Sequence, residues 1–213
     1  VRAAEEYAKV WDDYPDLPKF DLLKLSAKFQ EALSYFEAAK PQGYDETIDK
    51  EWNFNEEYLN KAVTAYQQAI DNFSDAGFNF DRHDDFPERK QFVENCILNQ
   101  AVVYEHMNQW DKARENYNMV EQTSPHYSRT RLLIAQTYVE EGDIDKGIEA
   151  YQETLVSDQV NEDDKSLAQI KLADLLRDKE RFVEAAQQYQ QIVDANPDGE
   201  FADDAQYLVG LSY

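Results

Sequence analysis

Apolar side chains recur every three or four positions along most of this chain, most regularly over 94–125, ENCILNQAVVYEHMNQWDKARENYNMVEQTSP. Ile97, Ala101 and Tyr104 fall on one face at the i, i+4, i+7 spacing of an amphipathic helix. The stripe breaks at Met107-Asn108-Gln109-Trp110 and resumes with Ala113, Tyr117 and Val120, again four and three apart. Pro125 lacks the amide hydrogen that a continuing helix needs, so the second helix stops there. Helices this short do not hold together without a packed neighbour. The pattern therefore predicts a two-helix unit that hides its stripe by stacking on similar units.

The spacing returns on both sides of this unit. Ala3, Tyr7 and Val10, followed by Pro15, repeat the second helix over 1–15 without a first helix before it, so the natural chain is expected to extend upstream. A longer helix is predicted over 19–39, with Leu22, Leu25, Phe29, Ala32, Leu33 and Phe36 inward, and Lys40-Pro41-Gln42-Gly43 ends it. A connection over 40–55 carries Tyr44, Ile48, Trp52 and Phe54 to a helix over 56–73 with Ala62, Tyr66 and Ala69, closing a repeat over 19–73. The stretch 74–87, SDAGFNFDRHDDFP, leads into a repeat over 88–125. Connections this long in a helical array are often binding elements or lids, although Phe78, Phe80 and Phe86 could simply pin this one down. Downstream the pattern tightens into repeats over 128–159 and 166–197, and 200–213 begins one more first helix. Tyr117, Tyr151 and Tyr189 open the second-helix cores at separations of 34 and 38 residues. A period near 34, stretched by insertions, is the mark of a helical-repeat solenoid. The expected fold is all-α, a right-handed superhelical solenoid of antiparallel helix pairs running through 1–213 as one domain.

Composition agrees with long helices: among 213 residues there are only six glycines and six prolines. Charge narrows the choice of partner. With 44 acidic against 21 basic side chains the net charge is −23, which repels nucleic acid phosphates and anionic lipid headgroups. No apolar run is long enough to span a membrane, so no direct membrane insertion is expected. Cys96, the sole cysteine, cannot form an internal disulfide and reads as a buried structural thiol.

These residues resemble the tetratricopeptide repeat family. Counted from Glu94, the family's marker positions fall on Ile97, Gln100, Ala101, Tyr104, Ala113, Tyr117, Val120 and Pro125. Counted from Ser128 they fall on Arg131, Ile134, Ala135, Tyr138, Gly147, Tyr151, Thr154 and Gln159, and from Ser166 on Gln169, Leu172, Ala173, Leu176, Ala185, Tyr189, Ile192 and Pro197. Small residues at these positions let helices approach closely while the aromatic ones wedge between pairs. Gln100, Gln159 and Thr154 depart from the pattern. The segments VRAAEEYAKVWDDYPDLP and NPDGEFADDAQYLVGLSY further resemble repeats of bacterial cell-envelope proteins, among them outer-membrane assembly lipoproteins and Tol–Pal coordinators. That likeness implies a periplasmic or envelope-associated scaffold, with a cytoplasmic one as the alternative.

Catalytic patterns are missing: no Walker loop, G-x-G-x-x-G, H-E-x-x-H or G-x-S-x-G occurs, so neither an enzyme nor a cofactor is expected. Asp81-Arg82-His83-Asp84-Asp85 gathers metal-type donors, but adjacent side chains diverge and the run lacks the alternation of a calcium loop. The family resemblance implies instead that a partner's peptide or helix lies along a concave groove lined by the first helices. Transferred residue by residue, the groove positions are Asn95, Leu98, Val102, Glu105 and His106, then Arg129, Leu132, Gln136, Val139 and Glu140. The next repeat adds Leu167, Ile170, Asp174, Arg177 and Asp178. The lysine and asparagine with which some members hold a terminal carboxylate are replaced here by Leu98 and Val102. Arg129 and Arg177 either meet a ligand carboxylate or pair with neighbouring acids. The expected function is a non-catalytic interaction scaffold binding other proteins through the groove or the inserted loops. A self-assembling structural subunit of a larger envelope or surface assembly is the alternative.

Overall fold

The computed structural model describes residues 1–16, 22–45, 47, 52–75, 87–195 and 202–212. Helices account for the regular structure among them: α1 (Arg2–Asp13), α2 (Leu22–Ala39), α3 (Glu56–Asp75), α4 (Pro87–His106), α5 (Trp110–Asn118), α6 (Tyr127–Glu141), α7 (Ile144–Val156), α8 (Glu162–Asp178), α9 (Phe182–Ala195) and α10 (Ala202–Ser212). No strand occurs among the described residues, and no described helix is long and apolar enough to cross a membrane. The stretch 76–86, which holds Asp81–Asp85 and the loop phenylalanines, lies outside the described residues, as do Ile48 and Pro197.

The contacts gather into two compact units, Val1–Met119 and Val120–Tyr213. In the first, each of α1 to α5 packs on its neighbour in sequence, and α2 also reaches α4. In the second, α6 to α10 do the same, and α6 also reaches α8. Packing of each helix on the next and on the next but one is how stacked repeats share a continuous core.

The helix-to-helix turns have one recurrent geometry. Asn108, Gly142 and Glu180 each take a left-handed backbone, with φ of 55°, 93° and 61°. The following amide then reaches back over the helix end, Gln109 to the Tyr104 carbonyl, Asp143 to Tyr138 and Arg181 to Leu176, at 2.8 to 2.9 Å. These bonds satisfy carbonyls that a helix terminus leaves open. Polar side chains secure several helix starts: the Asn55 side chain accepts from the Tyr58 amide and Asn161 from the Asp164 amide. Ser128 ties the starts of α6 and α8 together, donating to the Asp164 carboxylate and accepting from the Asn161 amide.

The core of unit 1 collects Leu25, Leu59, Tyr66, Val93, Cys96 and Ile97, with Phe29 edge-on to the rings of Tyr66 and Phe92. A polar chain crosses it. The Gln100 amide donates to the Val63 carbonyl and Gln67, and accepts from Asn116, linking α3, α4 and α5. Gln100 is therefore a buried, satisfied polar residue where the repeat pattern asks for an apolar one. In unit 2 the core is formed by Leu132, Ile148, Tyr151, Leu172, Leu176, Tyr189 and Ile192. Gly147 brings α7 against α6: a Cβ there would stand 2.6 Å from Val139 Cγ2.

Candidate partner-binding surface

In unit 1 the candidate positions lie on α4. Asn95, Leu98, Val102, Glu105 and His106 are all half-buried. The Asn95 carbonyl accepts from the Asn99 side chain, and Glu105 accepts from the Tyr117 hydroxyl at 3.0 Å. His106 is enclosed by aromatic rings. It stacks on Phe54 at 4.3 Å between centroids and contacts Phe36 and Tyr44 at 5.3 and 6.3 Å. Tyr44 meets Trp52 and Phe54 edge-on, and the Lys40 ammonium lies over Phe36 and Tyr44. The described ends of the 40–55 connection are thus folded onto the ends of α2 and α4, and His106 is spent on holding them there.

In unit 2 the candidate positions fall into three groups. Arg129 and Gln136 are exposed, and Gln136 donates to Glu140 at 2.7 Å. Arg129 makes no ion pair among the described residues. Leu132, in contrast, is only 4 % exposed and belongs to the packed core. The third group is on α8. Tyr189, rising from α9, donates its hydroxyl to Asp174, and Arg177 donates to the same hydroxyl at 3.4 Å. Arg177 also approaches Asp174 and Asp178 at 3.4 and 3.5 Å. Its guanidinium is therefore committed to neighbouring acids. Burial, then the Asp174 hydrogen bond, hold the Tyr189 phenol protonated well above the usual tyrosine range. Burial, with Glu140 nearby, pushes Tyr151 up to about 12.

Leu167 and Ile170 are brought together with α9 and α10 around an open cavity of about 380 Å³, whose remaining lining is Lys171, Tyr189, Ala205, Tyr207 and Leu208. Its wall is mainly apolar, and Tyr207 is 67 % exposed on its rim. That volume stands at the small end of the ligand-pocket range of roughly 300–1,000 Å³ and suits one anchoring side chain. The contribution of α10 was open to sequence reasoning, since 200–213 reads as a first helix. The positions singled out there by spacing, Val209, Gly210 and Tyr213, are not those that line the cavity. Among the described residues no group of three or more His, Cys, Asp or Glu side chains could hold a metal ion.

Stacked helix pairs joined by a recurring left-handed turn define the class: an all-α helical-repeat solenoid. Residues 132–200 match one tetratricopeptide repeat family model and residues 96–126 match another, so over those residues the chain is built of tetratricopeptide repeats. Solved structures share the fold. A Podosopora anserina protein described as a kinesin light chain with nearly identical TPR-like repeats aligns with a TM-score of 0.58 at 13 % identity, covering 92 % of this chain and 88 % of that one. YrrB, a TPR protein with an unusual peptide-binding site, aligns with a TM-score of 0.50 at 14 % identity, covering 99 % and 83 %. No curated protein sequence matches the chain.

Proposed function

We propose that this protein is a non-catalytic adaptor that holds a peptide segment or helix of a partner against its first helices. The cavity bounded by Leu167 and Ile170 carries this reading, because it offers an apolar seat where the repeat pattern puts ligand contacts. Tyr189, which lines it, is tied through its hydroxyl to Asp174 and Arg177, and Arg177 also approaches Asp178, so this polar cluster carries one net negative charge. An apolar anchor within a polar rim is the usual anatomy of a peptide-recognition site. Tetratricopeptide repeats generally mediate protein–protein contacts, and peptide binding by YrrB shows that this fold can do so.

A displayed peptide library selected on the intact protein tests the proposal. Wild type should enrich sequences sharing an apolar residue at a fixed position, and Ile170→Asp should lose that enrichment by at least tenfold. Equal enrichment on both proteins, or no shared position at all, would remove the groove from consideration. Placement in a bacterial cell envelope rests on the likeness of the two end segments to envelope repeats. Fractionation of cells expressing the natural gene product tests it, with recovery only in the cytoplasm counting against it.

A further inference from the structure

The lining of the α8–α10 cavity divides into fixed and open groups. Tyr189 is fixed: its ring is buried, and its hydroxyl donates to Asp174 and accepts from Arg177. Lys171 and Tyr207 are exposed on the same cavity. Among the described residues the Tyr207 ring has neither another ring nor an ammonium against it, and the Lys171 ammonium has no ring. Tyr207 stands three residues before Gly210 on α10, as Ile170 stands three before Ala173 on α8, so the repeat gives the two side chains equivalent places.

Elsewhere in this chain lysines habitually cover rings. Lys40 Nζ lies 5.1 Å from the Phe36 centroid, Lys61 5.3 Å from Tyr58, Lys112 5.3 Å from Tyr104 and Lys146 5.7 Å from Tyr138. Lys40, Lys61 and Lys146 also pair with a carboxylate, so an acid nearby does not keep an ammonium off a ring. Lys171 therefore needs no spare charge to act in the same way. It needs a ring, and the cavity beside it has room for one. An apolar void of roughly 150 Å³ already accepts benzene, and this cavity has about 380 Å³. An aliphatic side chain would gain burial alone there. A ring would gain burial, an ammonium on its face and contact with a second ring. A carboxylate would gain least, because the wall is mainly apolar and the Asp174, Arg177 and Asp178 cluster tied to Tyr189 already carries one net negative charge.

Resting on the adaptor reading, we propose that the partner residue seated here is aromatic: a Phe, Tyr or Trp ring that takes the Lys171 ammonium on its face and packs against Tyr207, with Tyr189 as its fixed wall. Lys171 and Tyr207 then set the specificity of the site, whereas Leu167 and Ile170 supply burial to any apolar residue.

Peptides selected from a random displayed library on the full chain test this in two stages. The position they share should be Phe, Tyr or Trp. The best peptide is then made in two forms, with Phe or with cyclohexylalanine at that position, which keeps the size of the ring and loses its π-face. Wild type should bind the cyclohexyl form about fivefold more weakly. Lys171→Met should weaken the Phe form about threefold and leave the cyclohexyl form unchanged. Tyr207→Leu should likewise narrow the gap between the two. Both side chains are exposed, so neither substitution threatens the fold, and circular dichroism checks that. A shared Leu, Ile, Val, Met or acidic position overturns the aromatic anchor and leaves the adaptor reading in place. So does equal binding of the two forms, or a Lys171→Met effect that is the same for both. The absence of any shared position removes the adaptor reading, and the aromatic anchor with it.

Discussion

Three buried tyrosines at equivalent places in their repeats have different fates at the hydroxyl. Tyr117 and Tyr189 donate to Glu105 and Asp174, whereas the Tyr66 hydroxyl is fully buried and has no hydrogen-bond partner among the described residues. Tyr189→Phe should therefore cost about 1 kcal/mol, the usual net worth of such a bond. Tyr66→Phe should be neutral or stabilising, since it removes an unsatisfied polar group. Urea unfolding of the two variants checks the contrast, and an equal loss in both would refute it. Burial raises the folded-state pKa of Tyr66, Tyr151 and Tyr189. The stability linked to these phenols is thus intact below about pH 10, where the unfolded chain begins to lose its tyrosine protons. It declines as pH climbs through the folded values, and Tyr66→Phe should soften that decline. Burial of the rings was legible from their spacing. The hydroxyl partners were not, because Glu105 and Asp174 occupy different places along their helices and no periodicity assigns a partner to an oxygen.

The helices themselves were the most legible feature, each resting on a stripe spaced by three and four. Their turns were less so. Gly142 announces a left-handed residue, but Asn108 and Glu180 adopt the same conformation without a glycine. A side chain in that region costs roughly 1–2 kcal/mol, part of which glycine returns as unfolded-chain entropy. Glu180→Gly should accordingly stabilise the protein by about 0.5–1 kcal/mol in chemical denaturation, and a loss of stability would show that the exposed Glu180 side chain does more than occupy the turn. Gln100 shows the opposite limit of pattern reading. It departs from the repeat's apolar preference because Gln67, Val63 and Asn116 together satisfy its amide, an arrangement drawn from three helices at once. Leu132 was misjudged as a surface contact for a related reason: its helix buries a wider stripe than the transferred groove positions allow.

For the molecule as a whole, charge outweighs any single contact. Most of its ion pairs are exposed and lie one helical turn apart, and such pairs contribute little individually. A net charge of −23 over 213 residues instead opposes the compact state through self-repulsion. Screening should relieve it: raising NaCl from ~0.01 M to ~0.5 M shortens the Debye length from ~30 Å to under ~5 Å. A rise of several degrees in Tm is expected, and a fall would mean that attractive pairs dominate. The repeat architecture followed from the period alone. The α8–α10 cavity did not, because it is made by residues from three helices whose juxtaposition no linear pattern encodes.

The sole sulfhydryl of the chain sits at zero exposure in the unit 1 core, and burial pushes Cys96 up to about 12. A maleimide can reach it only after α4 parts from its neighbours. Its labelling rate is thus a built-in stopwatch for the breathing of that half of the molecule, and the other half carries no thiol to blur the reading.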